Sequence, residues 1–208
     1  MSFQYMIDNA QTVEYNMRPQ VSQTISRGGA IRSVDRGNDI WRFTVTMPSG
    51  ARYSDYREAL AGMEAQGQTQ EINIDFAEYD YLFGYQGDLA TPSITVTRPL
   101  NGTGSQTTLA FTQGAFNPGG TYTCKKGDII KLDNHIYQME QDVTSSYIYL
   151  NRPYIFLEDT PGYGADTTGT FGASNTFRVK CIQMPTYQVF GYDQIAWSGP
   201  FVFQETFD

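Results

Sequence analysis

The residues best suited to chemistry lie in one short stretch, "YTCKKGDIIKLDNHIYQM", which runs from Tyr122 to Met139. It contains the chain's single histidine, His135, and one of its two cysteines, Cys124. A histidine can act as a general base, and a cysteine can act as a nucleophile or a metal ligand. Each role requires partner residues at a defined spacing, so the rest of the sequence decides whether this stretch is a site.

No such partners are found. A zinc site needs several histidine, cysteine or acidic ligands, and one histidine with the distant pair Cys124 and Cys181 does not supply them. No Gly-x-Ser-x-Gly elbow supports a Ser/His/acid triad, and no spacing singles out the carboxylate pair of a glycosidase. We therefore expect a protein that is not an enzyme, with no catalytic, cofactor-binding or metal-binding residues, and we interpret His135 as a turn or edge residue of a hairpin.

Two weaker motifs have the same outcome. The segment "DFAEYDY" offers Asp75, Glu78 and Asp80 as oxygen ligands for Ca²⁺, but it lacks the EF-hand spacing and reads as a solvated acidic loop. The segment "GTGSQT", from Gly102 to Thr107, is similar to part of a phosphate-binding loop, but no Lys-Ser/Thr pair follows it. A β-turn is the prediction there.

The composition indicates a mainly β protein. The chain has 208 residues, of which 40% are hydrophobic and only 17% charged, and aromatic residues and threonine are common while leucine and alanine are scarce. The net charge of −8 argues against unspecific binding to nucleic acid and against anionic membrane surfaces. We expect no membrane insertion and no signal peptide, hence synthesis inside a cell. The two cysteines are predicted to be reduced, buried thiols, with a single bridge as the alternative.

The amino-terminal half predicts one strand and one helix clearly. Trp41, Phe43 and Val45 alternate with polar residues, which is typical of a half-buried antiparallel strand. The segment "YSDYREALAGMEAQG" places its apolar residues on one face and predicts a helix near residues 54–66. Ser54 or Asp55 is the predicted cap. The first 16 residues show no period and are interpreted as an arm or a short strand.

The strand spacing also predicts an inserted barrel. About five short strands separated by turns follow Pro92 within roughly 65 residues, a density typical of a small barrel or sandwich. The predicted organisation is a discontinuous β-barrel or sandwich domain, residues 1–91 and 159–208 with one α-helix, into which residues 92–158 insert as a small OB-like β-barrel. The polar segment "EDTPGYGADTTGTFGASNT" is interpreted as a long loop.

Two aromatic, glycine-containing segments could belong either to the core or to an interface. They are "YDYLFGYQ" and "QVFGYDQIAW". Exposed aromatic side chains could stack on sugar rings or anchor a protein interface. In a β protein that uses aromatic residues in place of leucine, the same side chains could equally fill the core.

Three stretches taken in order carry a resemblance to a known family. They are "VSQTISRGGAIRSVDRGNDIWRFTVTMP" followed by the capped helix, "KKGDIIKLDNHIYQM", and "YIYLNRPY". Together, over roughly residues 20–158, they resemble distal tail proteins of long-tailed bacteriophages, in particular those with an OB-fold-like barrel inserted in a β-domain. Related modules occur in other tail-tip and baseplate subunits, so these motifs are only moderately specific.

The resemblance implies a viral structural protein of the virion, synthesised in the host cytoplasm and located at the tail tip or baseplate. It implies a homo-oligomer, a hexameric ring at the distal end of the tail tube, whose partners are the tail tube protein, the baseplate hub and fibre proteins. Phage DNA would pass through the lumen without specific binding, and no cofactor is implied. The alternatives are another baseplate or tail subunit, such as a wedge or tube-capping protein, and a carbohydrate-binding module of the host-recognition apparatus.

Overall fold

The structure, a computed structural model, describes residues 2–18, 21–25, 31–35, 39–66, 70–97, 107–144, 146–155 and 166–207. The predicted mainly β class is confirmed. The helices are α1 (Ser2–Asp8), α2 (Tyr53–Gln66) and α3 (Asp80–Phe83), with a 3-10 turn at Ala77–Tyr79. The strands are β1 (Thr12–Arg18), β2 (Val21–Ile25), β3 (Ile31–Asp35), β4 (Ile40–Thr46), β5 (Ala51–Arg52), β6 (Glu71–Ile74), β7 (Ser93–Thr97), β8 (Thr108–Gln113), β9 (Ile129–Leu132), β10 (His135–Gln138), β11 (Tyr147–Tyr149), β12 (Asp166–Phe171), β13 (Phe177–Gln183), β14 (Tyr187–Phe190), β15 (Gln194–Trp197) and β16 (Phe201–Glu205).

The chain divides into two compact units. The terminal unit comprises Met1–Ile74 and Arg178–Asp208, and the barrel unit comprises Asp75–Phe177. The sequence predicted domain limits after residues 91 and 158, whereas the limits between the two units in the structure lie after residues 74 and 177. Two features of the barrel unit account for the difference, and the second lies in a segment that was interpreted as a loop.

The first feature is an aromatic cluster whose residues lie close in sequence to the two limits of the barrel unit. The rings of Phe76 and Phe83 have centroids 5.4 Å apart, and that of Phe177 lies 5.7 Å from Phe76 and 5.8 Å from Phe83. The second is β12, a full barrel strand that pairs with both β7 and β9 inside the predicted long loop. Its sequence, DTTGTF, has too few large apolar residues for the alternation to be visible.

A five-stranded antiparallel sheet forms the terminal unit's core, in the order β1-β4-β16-β13-β6. The alternation predicted for β4 is confirmed, because Trp41, Phe43 and Val45 are buried between half-buried neighbours. Phe43 lies opposite Phe203 of β16 in the register. The sheet therefore buries a continuous aromatic layer on one face, which is the main hydrophobic contribution of this unit.

Residues Ser2–Asp8 form helix α1, which corrects the interpretation of the chain's start as an arm, while β1, which begins at Thr12, agrees with the alternative of a short strand. Helix α1 also shows that the prediction of a single helix was incomplete. Phe3, Met6 and Ile7 are at most 3% exposed, at the i, i+3, i+4 spacing of a buried helix face. The ring of Phe3 meets that of Phe203 edge-on at 5.8 Å. A helix of seven residues is not stable alone, so tertiary packing rather than local propensity produces it.

Helix α2 follows the sequence prediction. Its stripe of Tyr56, Leu60 and Met63 is buried. A small second sheet has the strand order β14-β15-β5. Its strand β5 ends at the residue before helix α2 begins. Strands β2 and β3 form a separate hairpin. The predicted turn at Gly28-Gly29 and the predicted helix end at Gly67 lie outside the described residues.

The barrel unit contains a six-stranded sheet whose two ends meet. The order is β10-β9-β12-β7-β8-β11. An isolated antiparallel bridge between Met139 and Leu150, just past β10 and β11, joins the first strand to the last. The Glu140 and Asn151 amides donate to the Tyr149 and Gln138 carbonyls, each at 2.9 Å. The barrel has six strands, where the OB-fold has five.

The barrel interior is filled by aliphatic and aromatic side chains that pack closely around one glycine. Ile130, Leu132 and Phe171 belong to this buried cluster. A Cβ placed on Gly169 would lie 2.6 Å from Ile130 Cδ1 and 2.8 Å from Leu132 Cδ2. β12 therefore carries glycine where the facing side chains of β9 occupy the space.

We expect Ile130→Asp to unfold the barrel unit. The side chain is fully buried, and an unpaired carboxylate there costs about 4 kcal/mol or more, a large part of a domain's stability. Urea denaturation followed by circular dichroism measures the loss. Thr95→Asp is the matched control, because Thr95 is exposed on the neighbouring barrel strand β7 and should shift the midpoint only slightly. Equal shifts in the two variants would contradict the barrel register.

Candidate interaction surface

The stretch from Tyr122 to Met139 is part of the barrel wall. Strands β9 and β10 form a hairpin across Asp133-Asn134, with Asp133 at φ 53°. Cys124 is fully buried, and its backbone forms an isolated antiparallel β-bridge with Val143. His135, interpreted from the sequence as a turn or edge residue, is only 1% exposed and opposite Leu132. The predicted place beside the turn is confirmed, because His135 directly follows Asp133-Asn134 and begins β10, and the structure adds that its side chain is buried.

Polar side chains around this hairpin hold the barrel wall in place. Asp133 accepts hydrogen bonds from the Tyr154 hydroxyl and, at 2.9 Å, from Thr167 Oγ1. Arg152, only 1% exposed, donates from Nη2 to the Ile136 carbonyl at 2.6 Å. The Arg152 guanidinium lies 5.2 Å from the centre of the Tyr137 ring, a cation–π distance. These groups are engaged with one another and with backbone, which identifies them as structural.

Two aspartates tie the segment before β7 to the loop that leads into β9. Asp128 is 1% exposed and accepts from the Gln86 amide at 3.1 Å and the Lys125 amide at 2.9 Å. Burial raises the pKa of Asp128 above its ordinary value, against the lowering effect of those two amides. Asp88 accepts from the amides of Thr121 and Tyr122, both at 2.9 Å, and these bonds lower its pKa.

The pKa of Asp88 predicts a pH dependence. Its folded-state value lies below the unfolded one, so the ionised group stabilises the fold above the unfolded pKa of about 3.9. That contribution is lost as the pH falls through the lowered pKa. Asp88→Asn keeps an acceptor oxygen and removes the charge. We expect the variant to be less stable than the parent at pH 7 and the gap to close in acid.

Urea midpoints of the parent and of Asp88→Asn, measured from pH 7 down to about pH 2.5, show how the difference in stability changes with pH. Glu78→Gln is the control, because Glu78 is an exposed carboxylate on the 3-10 turn. A gap between Asp88→Asn and the parent that stays constant with pH would contradict the assignment.

The other sequence motifs do not assemble into a site in the described part of the chain. Asp75 accepts from the Ala77 amide at 3.2 Å, an interaction local to its own loop. No group of three histidine, cysteine or acidic side chains is placed to hold a metal ion among the described residues. The segment "GTGSQT" lies outside them, apart from Thr107. Within the same ranges no helix is long and apolar enough to cross a membrane.

Both cysteines are free and buried, which confirms the prediction of reduced thiols. Burial raises the pKa of Cys124 to about 12 and that of Cys181 to about 11. At neutral pH both side chains are therefore protonated and contribute as small apolar groups.

The two aromatic segments that the sequence assigned to neither core nor interface differ in how far the structure buries them. In "YDYLFGYQ" Tyr81 is 80% exposed, but Phe83 is buried in the cluster with Phe76. The Tyr85 hydroxyl donates to the Thr123 carbonyl at 2.5 Å and accepts from the Leu89 amide at 3.0 Å. Burial raises the pKa of Tyr85 to about 12. This segment is mostly structural.

In "QVFGYDQIAW" the apolar residues reach solvent. Strands β14 and β15 form a hairpin, and we call residues 189–193 the hairpin tip. At the tip Val189 is 48% exposed, Phe190 51% and Tyr192 fully exposed. Val189 and Phe190 are consecutive and so point to opposite faces of the strand. Because both faces are exposed, the tip presents apolar surface on two sides.

An aspartate fixes the tip to helix α2. Asp193 accepts a hydrogen bond from the Ser54 amide at 3.0 Å through Oδ1 and from Ser54 Oγ at 2.5 Å through Oδ2. The Asp193 carbonyl also accepts from the Tyr53 amide at 2.9 Å. These amides belong to the helix's first turn, whose N–H groups lack partners within the helix. The cap expected from Ser54 or Asp55 is thus supplied from across the fold.

Asp193 adopts φ 63°, in the left-handed region where Asp is better tolerated than bulkier residues. Asp193 therefore both belongs to the turn that exposes Tyr192 and caps helix α2. No spacing in the sequence connects position 193 with position 54, so sequence reasoning missed this contact.

Aromatic packing holds the base of the hairpin. Tyr187 lies opposite Trp197, with ring centroids 5.8 Å apart. The Tyr187 ring stacks on Tyr53 at 6.3 Å, and the Trp197 ring meets Tyr56 at 5.9 Å and Phe201 at 5.7 Å. The hairpin is thus fixed at its base and by Asp193, and only its tip is without cover from the described residues of this unit.

The hairpin also leaves a strand edge open. In the order β14-β15-β5, β14 is an outer strand among the described residues. An outer strand presents backbone N–H and C=O groups that another strand can pair with. A short, preorganised edge beside exposed apolar side chains is a candidate interaction surface.

We expect Asp193→Ala to release the hairpin from helix α2. Loss of the cap costs about 1 kcal/mol, and alanine also fits φ 63° less well than aspartate. Amide hydrogen exchange at Ser54 should become faster, together with a lower urea midpoint. Gln188→Ala, an exposed change in the same hairpin, should leave both unchanged. Unaltered exchange at Ser54 in Asp193→Ala would show that the cap is not made.

The comparisons with known proteins add no family assignment. No protein-family model matches this chain, and a search of curated proteins finds no significant match.

Proposed function

We propose that this protein is a structural subunit of a phage tail tip or baseplate. In this proposal it forms a ring at the distal end of the tail tube, and it links the tube to baseplate or fibre proteins. The proposal extends the resemblance in the sequence, and its physical support comes from the interaction surface in the terminal unit.

The observation that carries the proposal is the preorganised hairpin tip. Phe190 and Tyr192 are exposed on a rigid turn, beside an open strand edge. A loose, polar loop would lose conformational entropy on binding, but a hairpin already fixed by Asp193 and by aromatic packing loses little. Large aromatic side chains at such a place are typical of the anchor residues of protein interfaces.

The proposed occupant of this surface is a second copy of the chain. A head-to-tail contact, in which one surface meets a different surface of the next copy, generates a closed ring when the rotation closes. The open edge of β14 and the apolar tip then become covered in the assembly. This also removes the aggregation hazard that an uncovered edge would present.

The barrel unit has a separate place in the proposal. A discontinuous terminal unit with an independent barrel can build the ring from one part and carry attachment to further tail components on the other. The net charge of −8 is compatible with a lumen through which DNA passes without specific binding. The proposed location is the virion.

Tyr192→Ser tests the proposal. We expect the wild-type chain to form a ring, hexameric in the proposal, and the variant to shift toward monomer, because the fully exposed ring is lost from the interface. Multi-angle light scattering gives the mass, and electron microscopy shows whether the oligomer is closed. The folded state of the variant is checked by its urea midpoint.

The matched control is Tyr81→Ser, which removes another highly exposed tyrosine outside the hairpin. It should leave the oligomer intact. A wild-type chain that remains monomeric at every soluble concentration would contradict the ring, and equal loss in both variants would contradict the assignment of the hairpin tip.

A further inference from the structure

The five-stranded sheet of the terminal unit ends on one side in β1, which presents a second open strand edge. In the order β1-β4-β16-β13-β6, β1 pairs with β4 along all seven of its residues and with no other strand among those described. In an antiparallel pair, about half of the backbone N–H and C=O groups of an outer strand point away from its partner. On that side β1 can accept a further strand.

The apolar layer of this sheet is incomplete at β1. Tyr15 lies opposite Phe43 and Met17 opposite Trp41, so these two β1 side chains share the face on which Phe43 and Trp41 are buried. Tyr15 is nevertheless 39% exposed, although its ring centroid lies 6.1 Å from that of Trp41. The layer that is closed over β4 therefore reaches solvent at β1, where the side chains of a further strand would cover it.

The other open edges in the described part of this unit are less suitable for pairing. On the far side of the same sheet, β6 has only four residues, and its Glu71 is held in an ion pair by Arg178 at 2.5 Å. The outer strand β5 of the small sheet has two residues. Strands β2 and β3 pair only with each other among the described residues, so no larger sheet supports them. The longest open edge on a large sheet is thus that of β1.

Strand β14 has the properties of a partner for this edge. Its sequence, YQVF, contains neither proline nor a charged residue, which are common means of protecting an outer strand from pairing. Its four residues fit within the seven of β1. Val189 is 48% exposed and Phe190 51%, and the two side chains point to opposite faces of the strand. Either orientation of β14 therefore sets one apolar side chain against the incomplete layer.

We propose that β14 of one copy pairs with β1 of the next copy and extends its five-stranded sheet. The inference rests on the proposed function, for which it names the surface that receives the hairpin tip. Because β1 and β14 are different strands, each copy uses β14 towards one neighbour and β1 towards the other. Such a head-to-tail contact can close into a ring, whereas pairing of β14 with another β14 stops at a dimer.

Cross-linking of cysteine variants tests the pairing directly. One chain carries Glu14→Cys or Asn16→Cys on β1, the other carries Gln188→Cys or Val189→Cys on β14, and the two are produced together so that mixed oligomers form. All four positions are exposed, and both native cysteines are buried. Since Gln188 and Val189 point to opposite faces, one of them shares the face of Glu14 and Asn16 in any register.

We expect a mild oxidant to link a β1 variant to a β14 variant, because paired strands bring their Cα atoms within the reach of a disulfide, less than about 7 Å. Peptide mass spectrometry identifies the two linked positions. Each variant produced alone is the control and should give no link, because neither β1 with β1 nor β14 with β14 is paired in the proposal.

Tyr15→Ser supplies an independent test in the full chain. We expect light scattering to show half-dissociation of its oligomer at a concentration about tenfold higher or more than for the parent, because a large side chain is lost from the contact. Tyr5→Ser is the matched control and should leave the oligomer unchanged. Tyr5 is 37% exposed in the same unit, and its ring likewise lies near a buried ring, that of Tyr56, at 5.6 Å. Urea midpoints show that both variants are folded.

The outcomes separate this inference from the proposed function. An oligomer that forms without a link between β1 and β14 variants, or one that Tyr15→Ser leaves unchanged, would overturn the pairing and leave the proposed ring standing. A link in Gln188→Cys alone would also overturn it, because β14 would then pair with β14. A wild-type chain that is monomeric at every soluble concentration would contradict both. A closed oligomer linked only between β1 and β14 would support both.

Discussion

The constraint on which the rest of the structure depends is the pairing of strand edges. Every strand must find partners for its backbone N–H and C=O groups, or else present them to another chain. The barrel unit meets this demand internally, through the bridge between Met139 and Leu150 that joins the two ends of its sheet. The terminal unit meets it only in part, since β14 remains an outer strand in the described residues. The two units therefore differ in their strand edges: the ends of the barrel sheet are joined to each other, whereas the edge of β14 is open among the described residues.

The sequence predicts the features that arise from local patterning. The alternation around Trp41 identified β4, and the stripe of Tyr56, Leu60 and Met63 identified α2. Both signals lie in contiguous residues with a clear period, and burial on one face is what creates that period. Several short strands after Pro92 were predicted from the turn residues that separate them, and β7 to β11 lie there. The exposed tip of "QVFGYDQIAW" could be identified only as a candidate, because aromatic content is the same in a core and at an interface.

The features that the sequence did not predict depend on contacts between distant residues. Helix α1 exists because Phe3 packs against Phe203, and β12 exists because Gly169 fits against Ile130 and Leu132. The cap of α2 comes from Asp193, and His135 is buried by the turn that precedes it. In each case the local residues are weak formers of the element, or carry a different local signal. Tertiary packing decides the result, and one sequence contains no record of which distant residues meet.

In both units, buried contacts hold the backbone next to exposed aromatic side chains. In the terminal unit, the aromatic base of the β14–β15 hairpin and the Asp193 cap hold a tip at which Val189, Phe190 and Tyr192 are exposed. In the barrel unit, the hydrogen bonds from Tyr154 to Asp133 and from Arg152 to the Ile136 carbonyl hold the wall, while Tyr147 and Tyr149 are exposed on the outer face. Both surfaces follow one principle: buried polar and aromatic contacts hold the backbone, so exposed rings are presented in a set geometry at small entropic cost.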